Sequence, residues 1–189
     1  MSFTIVDIET TGLAAGYHKI TEIAALKYNN GRMKKEFSTL INPEVSIPRF
    51  ITRLTGIDNA MVKDAPTIDK VISKFYSFMG KSVFVAHNAT FDYKFLDYNT
   101  KVHMGVNLEN HKICTCRLAR RLLPELGSKK LSSLCEHFKI KNNDAHRAKS
   151  DALATAKIFH NFLSMMKKIK IKDIEDILNF QSSKIPKVL

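Results

Sequence analysis

The stretch Phe3-Thr4-Ile5-Val6-Asp7-Ile8-Glu9-Thr10-Thr11-Gly12-Leu13 opens as an apolar run and is then broken by two acids. Aromatic and β-branched side chains at Phe3, Ile5, Val6 and Ile8 favour a buried strand over 3–8. In a strand, residues two apart share a face, so Asp7 and Glu9 stand side by side, in line with Phe3 and Ile5. Two ionised carboxylates that close repel each other, and burial worsens the repulsion. Either one of them holds a proton or a cation sits between them. A pair lying past the strand end, in water, would need neither.

Working outward, residues 20–28 (ITEIAALKY) and 33–41 (MKKEFSTLI) read as two more strands, joined by a turn at Asn29-Asn30-Gly31. A loop with Pro43 and Pro48 follows, then short helical pieces over 49–54 and 58–63. Ile68, Val71, Ile72, Phe75 and Phe78 recur at helical spacing within 67–79. SVFVAH (82–87) reads as a short buried strand and 90–101 as a helix. KICTC (112–116) reads as a strand running into a helix over 116–123, with another helix at 130–138. The last long helix is expected over 148–167, with Ala152, Ala156, Phe159, Leu163 and Met166 on one stripe. Three strands first, then strands alternating with helices, indicate an α/β sheet that is antiparallel at its start and parallel later.

The chain has 189 residues, 44% of them hydrophobic, which suits one domain with a sizeable core. The formal net charge of +12 points to a polyanionic partner such as nucleic acid. Three cysteines, Cys114, Cys116 and Cys135, are too few and too oddly spaced for a disulfide framework or a zinc knuckle. No stretch reaches the ~18 apolar residues of a membrane span, and the start does not read as a signal peptide. No membrane contact and a cytoplasmic location are therefore expected. Residues 168–189 are basic and are read as a tail or docking segment, with a turn and a half of helix at Ile171, Ile174, Ile177 and Leu178 as one reading and disorder as the favoured one. Within them, Gln181 to Pro186 look like a short docking peptide.

Two further segments carry acids. The strand ending at His87 is followed by Asn88-Ala89-Thr90-Phe91-Asp92, and strand ends in α/β sheets form the usual active-site crevice. Asp92 falls in the first turn of a helix, where the dipole favours an acid, with Asn88 or Thr90 as cap. His146 and Asp151 flank the start of the long helix, where Ser150 is a candidate cap. Small residues at Ala152 and Ala154 let that helix press on the sheet and set Asp151 over the strand ends. Four acids and a histidine from separate segments make an oxygen-rich site suited to Mg²⁺ or Mn²⁺. Two such ions form the known clamp for phosphodiester displacement, with the histidine taking the proton of the attacking water.

Asp7-Ile8-Glu9-Thr10-Thr11-Gly12, His87-Asn88-Ala89-Thr90-Phe91-Asp92 and His146-Arg147-Ala148-Lys149-Ser150-Asp151-Ala152 resemble, in order and spacing, the three motifs of the DEDDh 3′–5′ exonucleases. This family includes the proofreading epsilon subunit of DNA polymerase III and the exonuclease domain of the Gram-positive replicative polymerase. The resemblance covers about residues 3–166, and includes the segments 54–57, 118–124 and 130–135. It implies a ribonuclease-H-like fold: a five-stranded mixed sheet flanked by helices, its second strand antiparallel to its neighbours. It implies an exonuclease domain over 1–167, two divalent cations, Mg²⁺ or Mn²⁺, held by Asp7, Glu9, Asp92 and Asp151, and His146 as general base. Thr10, Gly12, Leu13, His87 and Phe91 would line the 3′-terminal nucleotide. Cys114-Thr115 departs from the Asp-Thr pair often found there, which puts a local hydrogen bond in doubt.

The expected activity is hydrolysis of single-stranded or frayed DNA 3′ ends to nucleoside 5′-monophosphates, alone or as proofreading partner of a DNA polymerase. An exoribonuclease of the same fold uses the same acids, so the motifs leave RNA open as substrate. A catalytically silent nucleic-acid-binding or polymerase-docking subunit is a third reading, against which the intact set of five residues argues. Arg117, Arg120, Arg121, Lys129 and Lys130 form either a phosphate-tracking surface or a solvated face.

Overall fold

The computed structural model describes residues 2–185; Met1 and the segment 186–189, with Pro186 of the expected docking peptide, lie outside the described residues. Strands β1 (Ser2–Thr10), β2 (Ile20–Asn29) and β3 (Arg32–Leu40) form an antiparallel meander. The β2–β3 turn places Asn30 at φ 50° and Gly31 at φ 74°, the paired left-handed geometry that twists a two-residue hairpin correctly. Helices α1 (Arg49–Thr55), α2 (Asn59–Val62) and α3 (Ile68–Met79) precede β4 (Val83–Ala86) and α4 (Thr90–Met104). Then come β5 (Lys112–Cys114), α5 (Thr115–Leu122), α6 (Leu131–His137), α7 (Ala148–Lys168) and α8 (Ile174–Ser182).

The sheet order is β3-β2-β1-β4-β5, with β4 parallel to both β1 and β5. This is the mixed five-stranded sheet that the motifs implied, with β2 antiparallel to its neighbours. Strand alternation sends Phe3, Ile5, Leu26 and Val85 to one face, where they pack against Leu118 of α5, Leu134 of α6, Phe159 and Phe162 of α7 and Ile177 of α8. Val6, Ile8, Ile23 and Phe84 fill the other face against Ile72 and Phe75 of α3 and Phe95 and Leu96 of α4. Each fully buried side chain of this kind stabilises the fold by about 1.5–3 kcal/mol. Parallel pairing of β1 with β4 runs only from Phe3 to Ile5, so beyond Ile5 the two strands part and leave a crevice.

Two expectations need correction. The strand expected over 112–116 ends at Cys114, because α5 already begins at Thr115. The expected disorder of 168–189 does not hold over the described part. There, Asp173 caps α8 by accepting from the Asp176 N–H at 2.8 Å, and Ile177 is buried in the core. A short amphipathic helix is stable once its apolar face has a partner, and here the partner is α5 and β5. Among the described residues, no helix is long and apolar enough to cross a membrane.

Candidate active site

Asp7 and Glu9 leave β1 on the face covered by α7, continuing the row of Phe3 and Ile5. The row is bordered by Ala24, opposite Asp7, and Glu22, opposite Glu9. Alanines at 148, 152, 154 and 156 are all buried, which lets α7 lie close to the sheet. That approach brings Asp151 down to the strand end, so that ligand oxygens of Asp7, Glu9 and Asp151 lie within 4.8 Å of one another. Asp92 arrives from the opposite layer, on the first turn of α4, and is not part of that trio. It is buried, and its Oδ1 accepts the Ile8 N–H at 3.2 Å, a donor left free where β4 has parted from β1. Asp7 thus feels both the Glu9–Asp151 group and Asp92.

The loop before α7 is held by side chains that the motifs did not single out. Glu22 accepts the guanidinium of Arg147 at 3.0 and 3.2 Å and the Ala148 N–H at 2.9 Å. Arg147 occupies the N-cap position and offers α7 no side-chain cap, so Glu22 caps that helix from across the sheet. Asn142 Nδ2 donates to Asp151 Oδ1 at 2.6 Å, and the Ser150 hydroxyl donates to Asn142 Oδ1 at 2.6 Å. Ser150 therefore supports Asn142 and does not cap the helix as expected. The His146 N–H donates to Asp151 Oδ2 at 3.1 Å, and His146 itself takes a left-handed φ of 64°. A side chain seldom tolerates that conformation, and the clasp with Asp151 is what fixes it. Likewise, neither Asn88 nor Thr90 caps α4; its N-cap is Ala89, with no side-chain bond.

Of the residues expected around the terminal nucleotide, Thr10 is buried and donates its hydroxyl to the Gly12 carbonyl at 2.6 Å. A Cβ on Gly12 would run into the His18 ring, so the close approach of that imidazole requires glycine. Leu13 is 84% exposed at the loop tip, and Phe91 packs on Phe95 with ring centroids 5.0 Å apart. His87 is bonded through Nδ1 to the Thr115 hydroxyl at 2.9 Å. Thr115 thus keeps a local contact although Cys114 stands beside it. His87, Lys130, Asn142, His146 and Asp151 line a cavity of about 640 Å³ beside the acids. A more apolar cavity of about 390 Å³, by Phe3, Ile5, Tyr28 and Phe159, touches none of them. In the expected basic surface, Arg121 turns to the oxygens of Ser183, and Lys129 turns to the carbonyls of Pro124 and Leu126.

Burial and crowding hold protons on the acids. Asp7 is raised well above the carboxylate range, by burial first and then by Asp92, Asp151, Glu9 and Glu22. Glu9 is raised to about 8 by burial, Asp151, Glu22 and Asp92, with Arg147 opposing. Asp92 is raised to about 7 by burial, opposed by its own and the Ile8 amides. Asp151 is raised by burial, opposed by Asn142 and His146. His87 is pushed down to about 4 by burial, against the Lys129 carbonyl, and so is a neutral ring at neutral pH. Carboxylates this close cannot all ionise without positive charge among them. Three hard oxygen donors within one small sphere suit a divalent cation.

Glu22 had a sequence signal: an acid inside the apolar run ITEIAAL must be paired or beside a cation. Asn142 had none, because its contact with Asp151 depends on how the 138–147 loop folds back.

The Exonuclease family profile matches residues 4–159. The epsilon subunit of DNA polymerase III of Aquifex aeolicus is 37% identical over 162 residues, covering 86% of this chain and 80% of that protein. The PolC-type DNA polymerase III of Caldanaerobacter subterraneus is 44% identical over 175 residues, or 93% of this chain, and the chain spans 12% of its length. Exonuclease X, solved in complex with 5′ overhanging duplex DNA, superposes with a TM-score of 0.76 at 29% identity, covering 95% of this chain and 99% of that one. Exonuclease I of E. coli, solved with a dT13 oligonucleotide, has a TM-score of 0.78 at 16% identity over 89% of this chain and 42% of that one, a likeness of fold. With the acids converging on one strand end and the profile spanning most of its length, the chain belongs to the exonuclease family.

Proposed function

We propose that the chain is a metal-dependent 3′–5′ exonuclease that trims single-stranded or frayed DNA ends to nucleoside 5′-monophosphates. The observation that carries this reading is the convergence of Asp7, Glu9 and Asp151 within 4.8 Å, with Asp92 held next to Asp7 on the Ile8 N–H. Asp7, Glu9 and Asp151 would hold one Mg²⁺ or Mn²⁺, and Asp7 with Asp92 a second. Bound there, the two ions offset charge on the phosphoryl oxygens and ease loss of the attacking water's proton. His146, at the rim of the cavity beside Asp151, takes that proton as general base. Asn142 and the His146 main chain keep both Asp151 oxygens aimed, and Glu22 with Arg147 keeps the loop in place. Thr10, Gly12 and Leu13 on one side, and His87 and Phe91 on the other, orient the terminal nucleotide so that water attacks in line. Stacking on Phe91 is indifferent to base identity.

Relatives named as a PolC-type DNA polymerase III and as the epsilon subunit of DNA polymerase III support a proofreading role beside a polymerase, in the cytoplasm where replication takes place. The experiment is side-by-side digestion of 3′-labelled DNA and RNA oligonucleotides with Mg²⁺ or Mn²⁺. Mononucleotide release from DNA, abolished by chelator and by Asp7→Ala, is the expected result. Activity on RNA alone would overturn the substrate, and no activity on either would overturn the reading.

A further inference from the structure

Strand β5 is three residues long, pairs only with β4, and forms one edge of the sheet. Its outward N–H and C=O groups would lie open under the helices covering that face, an arrangement a folded chain must satisfy. They are not open. The Cys114 N–H donates to Gln181 Oε1 at 2.9 Å, and Gln181 Nε2 donates to the Lys112 carbonyl at 2.7 Å. In a parallel ladder, one residue of a partner strand bonds the C=O of residue i and the N–H of residue i+2. A single glutamine amide, only 5% exposed, therefore does the work of one residue of a sixth strand. Gln181 belongs to α8, beyond the 4–159 span of the family profile. The helix is fixed there by buried Ile177 and by Arg121, whose guanidinium donates to the oxygens of Ser183. Next to Cys114 stands Thr115, whose hydroxyl lies 2.9 Å from His87 Nδ1 and 3.4 Å from the Ala86 carbonyl.

We propose that Gln181 is a positioning residue for the exonuclease site: by closing the edge of β5 it holds Thr115 against His87, the ring that walls the cavity shared with His146 and Asp151. The proposal rests on the exonuclease reading for its functional consequence. The clasp touches none of the acids, so it acts on how the terminal nucleotide is held and leaves cation binding alone. It also means that the Gln181 side chain is engaged inside the protein, and is not presented to a partner as the head of a docking peptide.

The test uses the full chain, with Gln181→Leu, Gln181→Glu and Thr115→Val, each checked for folding by circular dichroism. Gln181→Leu is expected to move the His87 ring-nitrogen resonances and to lower kcat/KM on a 3′-labelled oligonucleotide by about 10- to 100-fold, the scale of a small misplacement. Mn²⁺ affinity by calorimetry stays at the wild-type value. Gln181→Glu keeps the acceptor for Cys114 and loses the donor to Lys112, so it falls between. Gln181→Leu adds little on top of Thr115→Val, because both break the same connection. An unmoved His87 with wild-type kcat/KM in a folded variant would overturn the proposal, as would losses that simply add. If Gln181→Leu does not fold, an unmoved His87 in Gln181→Glu is decisive in the same way. A wild-type chain inactive on all substrates would sink the exonuclease reading, while the His87 resonances would still decide the clasp.

Discussion

Glu9, Asp151 and Asp92 all act on the buried Asp7, and each pushes it toward its protonated form. Without cations the folded state prefers these acids protonated. Their pKa values are raised on folding, so the stability they contribute is fully present at about pH 4 and is lost as pH rises through about 7 for Asp92 and about 8 for Glu9. Thermal unfolding in EDTA should therefore give a Tm that falls between pH 5 and pH 9, and Mn²⁺ should raise Tm more at pH 8.5 than at pH 6. Asp7→Asn should raise the metal-free Tm at pH 8.5 by about 2–4 °C, the shift that 1 kcal/mol brings in a chain of this size, while abolishing that Mn²⁺ response. As the proposed general base, His146 has a different task. His146→Ala should lower kcat by about 10²–10⁴-fold, the contribution of a general base, with Mn²⁺ affinity retained in a calorimetric titration.

At the level of elements, α7 decides the site, and two devices place it. One is the run of buried alanines against β1 and β2. Ala152→Leu should overpack that contact, cost about 1–3 kcal/mol in urea unfolding, and lift Asp151 away from Asp7 and Glu9, seen as weakened Mn²⁺ binding. The other is Glu22, whose carboxylate serves Arg147 and the Ala148 N–H together. Arg147→Met leaves that buried acid with the Ala148 N–H alone of its three donors, and should cost about 1–3 kcal/mol by the same measurement. The alanine stripe was legible in the sequence because helical periodicity is local. The Glu22 cap was not, because it joins residues 126 apart in the chain.

Over the whole molecule, the net charge of +12 sits on a fold whose proposed catalytic cluster is acidic. On the proposed reading, attraction for the nucleic-acid backbone comes from the basic surface and not from the acids. Log kcat/KM on single-stranded DNA should fall with log salt at about −0.7 for each phosphate contact. Measured between 50 and 200 mM KCl, a slope of at least about −2 is expected; a flat plot would show that the surface charge plays no part. The sequence by itself determined the type and order of the elements, the pairing of Asp7 with Glu9 on one strand face, and the three acidic segments. Alternation, helical period and turn residues act over a few positions, so they can be read there. Only the tertiary structure decided that Asp151 joins Asp7 and Glu9 while Asp92 comes from the other layer, that Glu22 caps α7, and that the short helix of the basic C-terminal segment docks as α8 with Gln181 on the edge of β5. Those contacts depend on how the layers pack on the sheet, and no local pattern encodes which distant side chains that packing brings together.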